Sequence, residues 1–103
     1  MASVVIKNWD KNNWLSSKNY ILSFINFLLK SKKLNANSKI LDIGCGRGKI
    51  IGVLSSKFKL KSEPIGIDLI NHRDKDKRFY FKKIDALSFF SLNKIKFDLI
   101  IVK

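Results

Sequence analysis

The chain has very few of the residues that build disulfides, metal sites and membrane spans. Cys45 is its single cysteine, which excludes an internal disulfide, and His72 is its single histidine, which leaves a Cys/His zinc site with too few ligands. The longest apolar stretch, residues 20–29, is interrupted by Ser23 and Asn26 and is too short to span a bilayer. The N-terminus also lacks the charged and apolar regions of a secretory signal. We therefore expect a cytoplasmic protein without a bound metal ion.

Proline and glycine are also scarce, with one and five residues in 103, which excludes a fibrous or low-complexity chain. Hydrophobic residues make up 46% and charged residues 28%, as in globular proteins. A chain of this length has room for one small domain with one core.

Acidic residues are outnumbered, 8 against 21 basic ones, and the formal net charge is +13. Such an excess favours association with polyanions such as nucleic acid or acidic membrane surfaces. However, the lysines are scattered along a sequence that is also rich in Ile, Asn and Phe, and no arginine-rich stripe with interleaved aromatic residues is present. We interpret the charge mainly as compositional bias and leave nucleic acid open as a partner.

Residues 1–38 are predicted to be a lead-in segment followed by an amphipathic helix. Ser16 or Ser17 can cap the helix, and apolar residues then recur at helical spacing until the basic run 30–33. Residues 1–13 show no sustained period. The lysines at the helix end suit the negative end of its dipole, so a supporting structural role explains them.

Residues 39–103 are predicted to alternate strands with helices. Short apolar runs at 39–43, 64–70, 79–84 and 97–102 predict four strands, with one helix after Gly48 and a shorter one over Ala86–Leu92. This alternation implies parallel strands, right-handed crossovers and helices on both sheet faces. The sequence therefore predicts an α/β, Rossmann-like three-layer sandwich with a mainly parallel sheet.

Alternating glycines Gly44, Gly46 and Gly48 follow the first of these strands. A backbone without Cβ atoms can turn sharply and approach a ligand closely, and ligands of open parallel sheets bind beyond the carboxyl ends of the strands. The spacing is not that of a phosphate-binding P-loop, and Lys49 occupies the position where a dinucleotide fingerprint has its last glycine. ATP-type phosphate binding and dinucleotide binding are therefore disfavoured.

With Asp42 before these glycines, the loop resembles the first motif of class I S-adenosylmethionine-dependent methyltransferases. The resemblance implies that Gly44, Gly46 and Gly48 lie against the methionine and sugar portions of S-adenosylmethionine, and that Asp42 organises its amino-acid moiety. Cys45 stands where that family places a small residue, and a packing role is preferred for it over a nucleophilic one.

Residues at the ends of two further predicted strands resemble residues at the corresponding positions of the same family. Asp68 follows Gly48 by 20 residues, and the resemblance places its carboxylate against the ribose, where its oxygens can accept from both hydroxyls. Leu69 would touch the adenine ring, and Asp85 with Ala86 would lie near the exocyclic amine of adenine. Each acid also has a simpler explanation as a turn or helix cap.

The resemblance covers residues 39–103, the first four strands of a fold that normally has seven. We therefore expect an incomplete cofactor-binding domain, truncated after the fourth strand, with residues 97–102 as an unpaired apolar edge. Catalytic residues are not assigned, because in the family they come largely from the end of the fourth strand onward. Lys103 stands where methyltransferases of base amines or ribose carry Asn or Asp.

The resulting hypothesis is methyl transfer from S-adenosylmethionine to an unidentified small-molecule acceptor, with this chain supplying the cofactor-binding half. The alternatives are a non-catalytic nucleoside-binding fragment and an RNA-directed methyltransferase. The sequence does not indicate an oligomeric state.

Overall fold

The computed structural model describes residues Val4–Ile6, Lys18–Ser31 and 33–102. In these residues the chain forms the elements β1 (Val4–Ile6), α1 (Lys18–Ser31), β2 (Ile40–Ile43), α2 (Lys49–Phe58), β3 (Ile65–Asp68), β4 (Tyr80–Lys83), α3 (Ala86–Leu92) and β5 (Leu99–Val102). The strands form one sheet in the order β1–β5–β2–β3–β4, and every neighbouring pair is parallel. The predicted α/β, Rossmann-like fold is confirmed.

Helices cover both faces of the sheet because side chains alternate along each strand. In β5, Leu99 and Ile101 pack with α1 and α2, whereas Ile100 points to the opposite face. That face carries α3, whose Phe89 is 1% exposed and packs with Leu41 of β2. The sheet is therefore the middle layer of three.

The helix ends follow from local sequence. Helix α2 begins after Gly48 and ends at Phe58, where Lys59 takes a left-handed conformation (φ 51°) and its N–H caps the last turn. Helix α3 spans the predicted range, with Asp85 as its N-cap. The predicted N-cap residues of α1, Ser16 and Ser17, lie outside the described residues.

The predicted unpaired edge at residues 97–102 is wrong. Strand β1 pairs with β5 in parallel, with Val4 opposite Leu99 and Ile6 opposite Ile101, so β5 lies between β1 and β2. The segment interpreted as a lead-in thus contributes a strand to the sheet. This pairing satisfies the backbone groups that an exposed edge would leave open.

The strand order reverses beside β2. The chain proceeds from β2 to β3 to β4 in one direction, then crosses back through α3 to place β5 on the other side of β2. Such a switch point opens a crevice at the carboxyl ends of the strands. No helix in the described residues is long and apolar enough to cross a membrane.

Candidate functional site

A cavity of about 220 Å³ lies at the carboxyl ends of β2, β3 and β4. Its wall contains residues that the sequence placed at three separate strand ends. These are Gly44, Asp68, Leu69, Asp85 and Ala86. The structure therefore brings five of the predicted site residues around one space.

Three isoleucines complete the wall of this cavity and were not predicted from the sequence. They are Ile43, Ile67 and Ile84. Each is the last apolar residue before a glycine or an aspartate, and this repeated pattern is the signal that could have identified them. A wall of isoleucines with carboxylates beside it suits a flat, partly apolar ligand that carries hydrogen-bond donors.

The glycine loop turns through three left-handed residues. Gly44, Gly46 and Gly48 have φ values of 75°, 57° and 77°, a region that side chains with a Cβ rarely adopt. The N–H groups of Gly44 and Cys45 both donate to the carbonyl oxygen of Ile67, at 2.8 and 3.1 Å. The loop is thereby fixed to the end of β3.

Gly48 and Gly46 are glycines for different reasons. A Cβ on Gly48 would overlap the ring of Phe79, which is 6% exposed and also lies 2.6 Å from the position of a Cβ on Gly66. Phe79 therefore fills the space beneath the loop. A Cβ on Gly46 would meet no atom within 4 Å, so packing does not exclude a side chain there.

Asp68 connects the glycine loop to the end of β3. Its Oδ2 accepts a hydrogen bond from the N–H of Gly46 at 2.9 Å, and its Oδ1 accepts from the N–H of Ile70 at 3.2 Å. Each carboxylate oxygen has two lone pairs, so each retains capacity for one more donor. The half-buried carboxylate can thus hold the loop and a ligand together.

Asp85 caps α3 and borders the cavity at the same time. Its Oδ1 accepts from the N–H of Ser88 at 2.8 Å and its Oδ2 from the Ser88 hydroxyl at 2.7 Å. These hydrogen bonds, first the one from the backbone N–H, hold the pKa of Asp85 below its ordinary value. The simpler explanation of this residue, a helix cap, is therefore correct, and it places the carboxylate at the cavity.

The other predicted site residues, Asp42, Cys45, Gly46 and Gly48, are not part of the cavity lining. Asp42 is 0% exposed in the middle of the sheet, between Gly66 of β3 and Ile101 of β5. Cys45 is 4% exposed, with its Sγ 3.6 Å from the carbonyl oxygen of Gly46. Gly46 and Gly48 form the loop itself.

A charged segment at residues 71–78 packs against the glycine loop, and the sequence did not predict this contact. Arg47 Nε donates to Asp74 at 2.9 Å, and the Arg47 carbonyl accepts from the N–H of Asp76 at 2.8 Å. The guanidinium of Arg78 donates to both oxygens of Asp76 and to the hydroxyl of Ser56. The loop is thus supported on its outer side by ion pairs.

Acid should destabilise this end of the molecule. Hydrogen bonds from Arg47, Arg78 and Ser88 lower the pKa values of Asp74, Asp76 and Asp85 below the ordinary 3.8. A carboxyl group whose pKa is depressed on folding stabilises the protein above its unfolded pKa, and this stabilisation is lost as pH falls through the folded value.

We therefore expect the melting temperature, measured by circular dichroism, to decrease as the pH falls below about 4. Asp85→Asn is the informative variant, because asparagine still caps a helix but does not titrate. Its melting temperature should depend less on pH in this range than that of the wild type. An unchanged pH profile would contradict the role given to Asp85.

Comparison with known proteins identifies no relative. No family model, no curated protein and no solved structure matches the chain. Within the described residues, no group of three His, Cys, Asp or Glu side chains could hold a metal ion. Inference about function therefore depends on the chemistry of the cavity.

Proposed function

We propose that this chain binds S-adenosylmethionine in the cavity at the ends of β2, β3 and β4 and supplies the cofactor-binding part of a methyltransferase. The observation that carries the proposal is that Gly44, Asp68 and Asp85, from three strand ends, share one cavity wall. An adenosine group has a flat base, a ribose with two hydroxyls and an exocyclic amine. The isoleucines suit the base, and the two carboxylates suit the hydroxyls and the amine.

The size of the cavity suits only one part of S-adenosylmethionine. At about 220 Å³ it is smaller than the ~300–1,000 Å³ typical of sites that enclose a drug-sized ligand. It therefore suits the adenosine portion, with the methionine portion passing over the glycine loop. The open space above Gly46, where an added Cβ would meet no atom within 4 Å, supports this path.

In this proposal, bound S-adenosylmethionine would supply an electrophilic methyl group: an acceptor nucleophile would attack the methyl carbon in line with its bond to sulfur, that bond would break, and S-adenosylhomocysteine would leave. Asp68 holds the ribose while its hydrogen bond to Gly46 fixes the loop, so one carboxylate orients both the ligand and the loop. Such positioning accounts for much of the acceleration in group transfer between two bound molecules. The acceptor is proposed to be a small molecule because Lys103 departs from the pattern of nucleic-acid methyltransferases.

Isothermal titration tests the proposal with three ligands: S-adenosylmethionine, S-adenosylhomocysteine and adenosine. We expect saturable 1:1 binding of the first two and weaker binding of adenosine, which lacks the methionine portion that would contact the loop. Circular dichroism of the same sample serves as the control for folding. Absence of binding by a folded sample would contradict the proposal, and equal affinity for adenosine would instead favour a nucleoside-binding module.

A further inference from the structure

The connections at the amino edge of the sheet are rich in exposed lysines. In an all-parallel sheet every helix-to-strand connection lies at the amino edge, and the described parts of the three connections are residues 33–39, 59–64 and 93–98. Their described lysines, here named the amino-edge lysines, are Lys33, Lys39, Lys59, Lys61, Lys94 and Lys96. Glu63 and Asp98 are the described acidic residues among them, whereas Asp68 and Asp85 border the cavity at the carboxyl edge.

Backbone hydrogen bonds hold these three connections together. The N–H of Lys61 donates to the carbonyl oxygen of Ala36 at 2.8 Å, which joins the second connection to the first. The N–H of Lys39 donates to Asp98 Oδ2 at 2.8 Å, and the N–H of Asp98 donates to the carbonyl oxygen of Lys39 at 2.8 Å, which joins the first to the third. Lysines that are distant in sequence therefore occupy one surface.

The amino-edge lysines outnumber the described acidic residues of this surface by six to two. The described ion pairs, Arg47–Asp74 and Arg78–Asp76, lie in the glycine loop and residues 71–78, and neither involves an amino-edge lysine. All six of these lysines are exposed. A field of one sign on an exposed surface attracts polyanions.

A second cavity, of about 170 Å³, opens at the same edge. Its apolar lining comes from Ile40, Ile65, Ile95 and Phe97, and its polar lining comes from Lys39, Ser62 and Glu63. Ile95 is 41% exposed and stands between Lys94 and Lys96 in the chain. An apolar pocket is therefore placed directly among the lysines.

We propose that the amino edge binds single-stranded nucleic acid, with the amino-edge lysines on successive phosphates and one unstacked base in this second cavity. Single strands are bound by basic surfaces combined with apolar contacts to their bases. Ser62 and Glu63 can hydrogen-bond to polar groups on the edge of that base.

The shape of the surface favours single-stranded nucleic acid over a lipid bilayer and over a nucleic-acid duplex. Binding to a bilayer requires apolar side chains that project from a convex surface, whereas these side chains line a cavity. A duplex keeps its bases stacked and paired, so it offers no base to the cavity without an unstacking cost. This function goes beyond the proposed methyl-donor site, which lies at the opposite edge of the sheet.

Fluorescence anisotropy with labelled 12-nucleotide oligo(U) and oligo(dT) tests the proposal on the full chain. If about four phosphates are contacted, the binding constant should fall about 50-fold between 50 and 200 mM salt, since each phosphate on a single strand contributes ~0.7 to the logarithmic slope. A duplex of the same length should bind more weakly. Equal or tighter binding of the duplex would overturn the assignment.

Two quadruple variants with the same loss of charge separate this surface from general basicity. One replaces exposed lysines of the amino edge: Lys33→Gln, Lys61→Gln, Lys94→Gln and Lys96→Gln. The other replaces exposed basic residues elsewhere: Lys49→Gln, Arg73→Gln, Lys77→Gln and Lys83→Gln. We expect at least tenfold weaker binding for the first and less than threefold for the second, and an equal loss in both would overturn the proposal.

The second cavity has its own test. Ile95→Ala should weaken binding of the oligonucleotide several-fold, whereas Leu92→Ala, at a residue that is 73% exposed and outside the cavity lining, should not. Thermal unfolding of every variant shows whether the fold is retained. Sedimentation with phosphatidylcholine–phosphatidylserine vesicles provides the competing result, because vesicle binding without oligonucleotide binding would assign the edge to a membrane surface.

Discussion

Asp68→Asn should weaken the binding of S-adenosylhomocysteine at least about 100-fold. The carboxylate is proposed to accept hydrogen bonds from both ribose hydroxyls, and each hydrogen bond to a charged group contributes about 1.5–3 kcal/mol. Asparagine removes one of these hydrogen bonds and the charge that strengthens the other, together ~3 kcal/mol, which is about two orders of magnitude in the dissociation constant. Asparagine keeps the size of the side chain but replaces one acceptor oxygen by a donor. Isothermal titration measures the change.

The matched control is Asp98→Asn, at the opposite edge of the sheet. Asp98 also accepts a hydrogen bond from a backbone N–H, that of Lys39, at 2.8 Å, so the two variants make a similar change to the fold. Asp98→Asn should leave the affinity within about twofold. If both variants lose binding equally, the loss is due to folding and the ribose contact is not supported.

A modified ligand distinguishes the two roles of Asp68, which are its hydrogen bond to the loop and its proposed contact with the ribose. Its carboxylate fixes the Gly46 N–H as well as the proposed ribose, so the variant alone does not distinguish a displaced loop from a lost contact. The 2′-deoxy analogue of S-adenosylhomocysteine removes one proposed partner without touching the protein. The wild type should discriminate against the analogue, and Asp68→Asn should discriminate much less. Equal discrimination by both proteins would mean that Asp68 acts through the loop only.

The β2–α2–β3–β4–α3–β5 part of the fold was predictable because each strand is a short apolar run that ends at a glycine, an acid or a loop. Ala86–Leu92 was predicted to the residue, since Asp85 is a recognisable cap. Strand β1 was missed. Three residues carry no period, and Val4–Ile6 become a strand only by pairing with Leu99–Ile101, far along the chain. The three β-branched residues favour a strand locally, but so short a run does not indicate its partner in the sheet.

The candidate site, like the fold, has one part that could be predicted from the sequence and one part that could not. Strand ends are visible in sequence, and the cavity wall of Gly44, Asp68 and Asp85 could be expected from them. The support of the glycine loop by Phe79 and by Asp76 could not be expected from the sequence. Both depend on how residues 71–79 fold back onto the glycine loop, and neither residue shows a motif that marks such a contact.

Gly48→Ala should be more destabilising than Gly46→Ala, lowering the free energy of unfolding by about 2–5 kcal/mol. An alanine held at a φ of 77° costs about 1–2 kcal/mol in backbone strain. Its Cβ would also overlap Phe79, and overpacking of this kind costs about 1–3 kcal/mol. The free energy of unfolding of a small domain is only about 5–15 kcal/mol, so the midpoint of urea unfolding should shift measurably.

Gly46→Ala separates the two contributions, because its Cβ meets nothing within 4 Å at a φ of 57°. Its free energy of unfolding should be lower than that of the wild type by the backbone strain alone, about 1–2 kcal/mol. In a double-mutant cycle, Phe79→Leu should be less harmful in the Gly48→Ala background than in the wild type, since the smaller side chain leaves room for the new Cβ. Additive effects would mean that the overlap is relieved by movement of the loop. The glycine at position 48 would then be required for its backbone conformation alone.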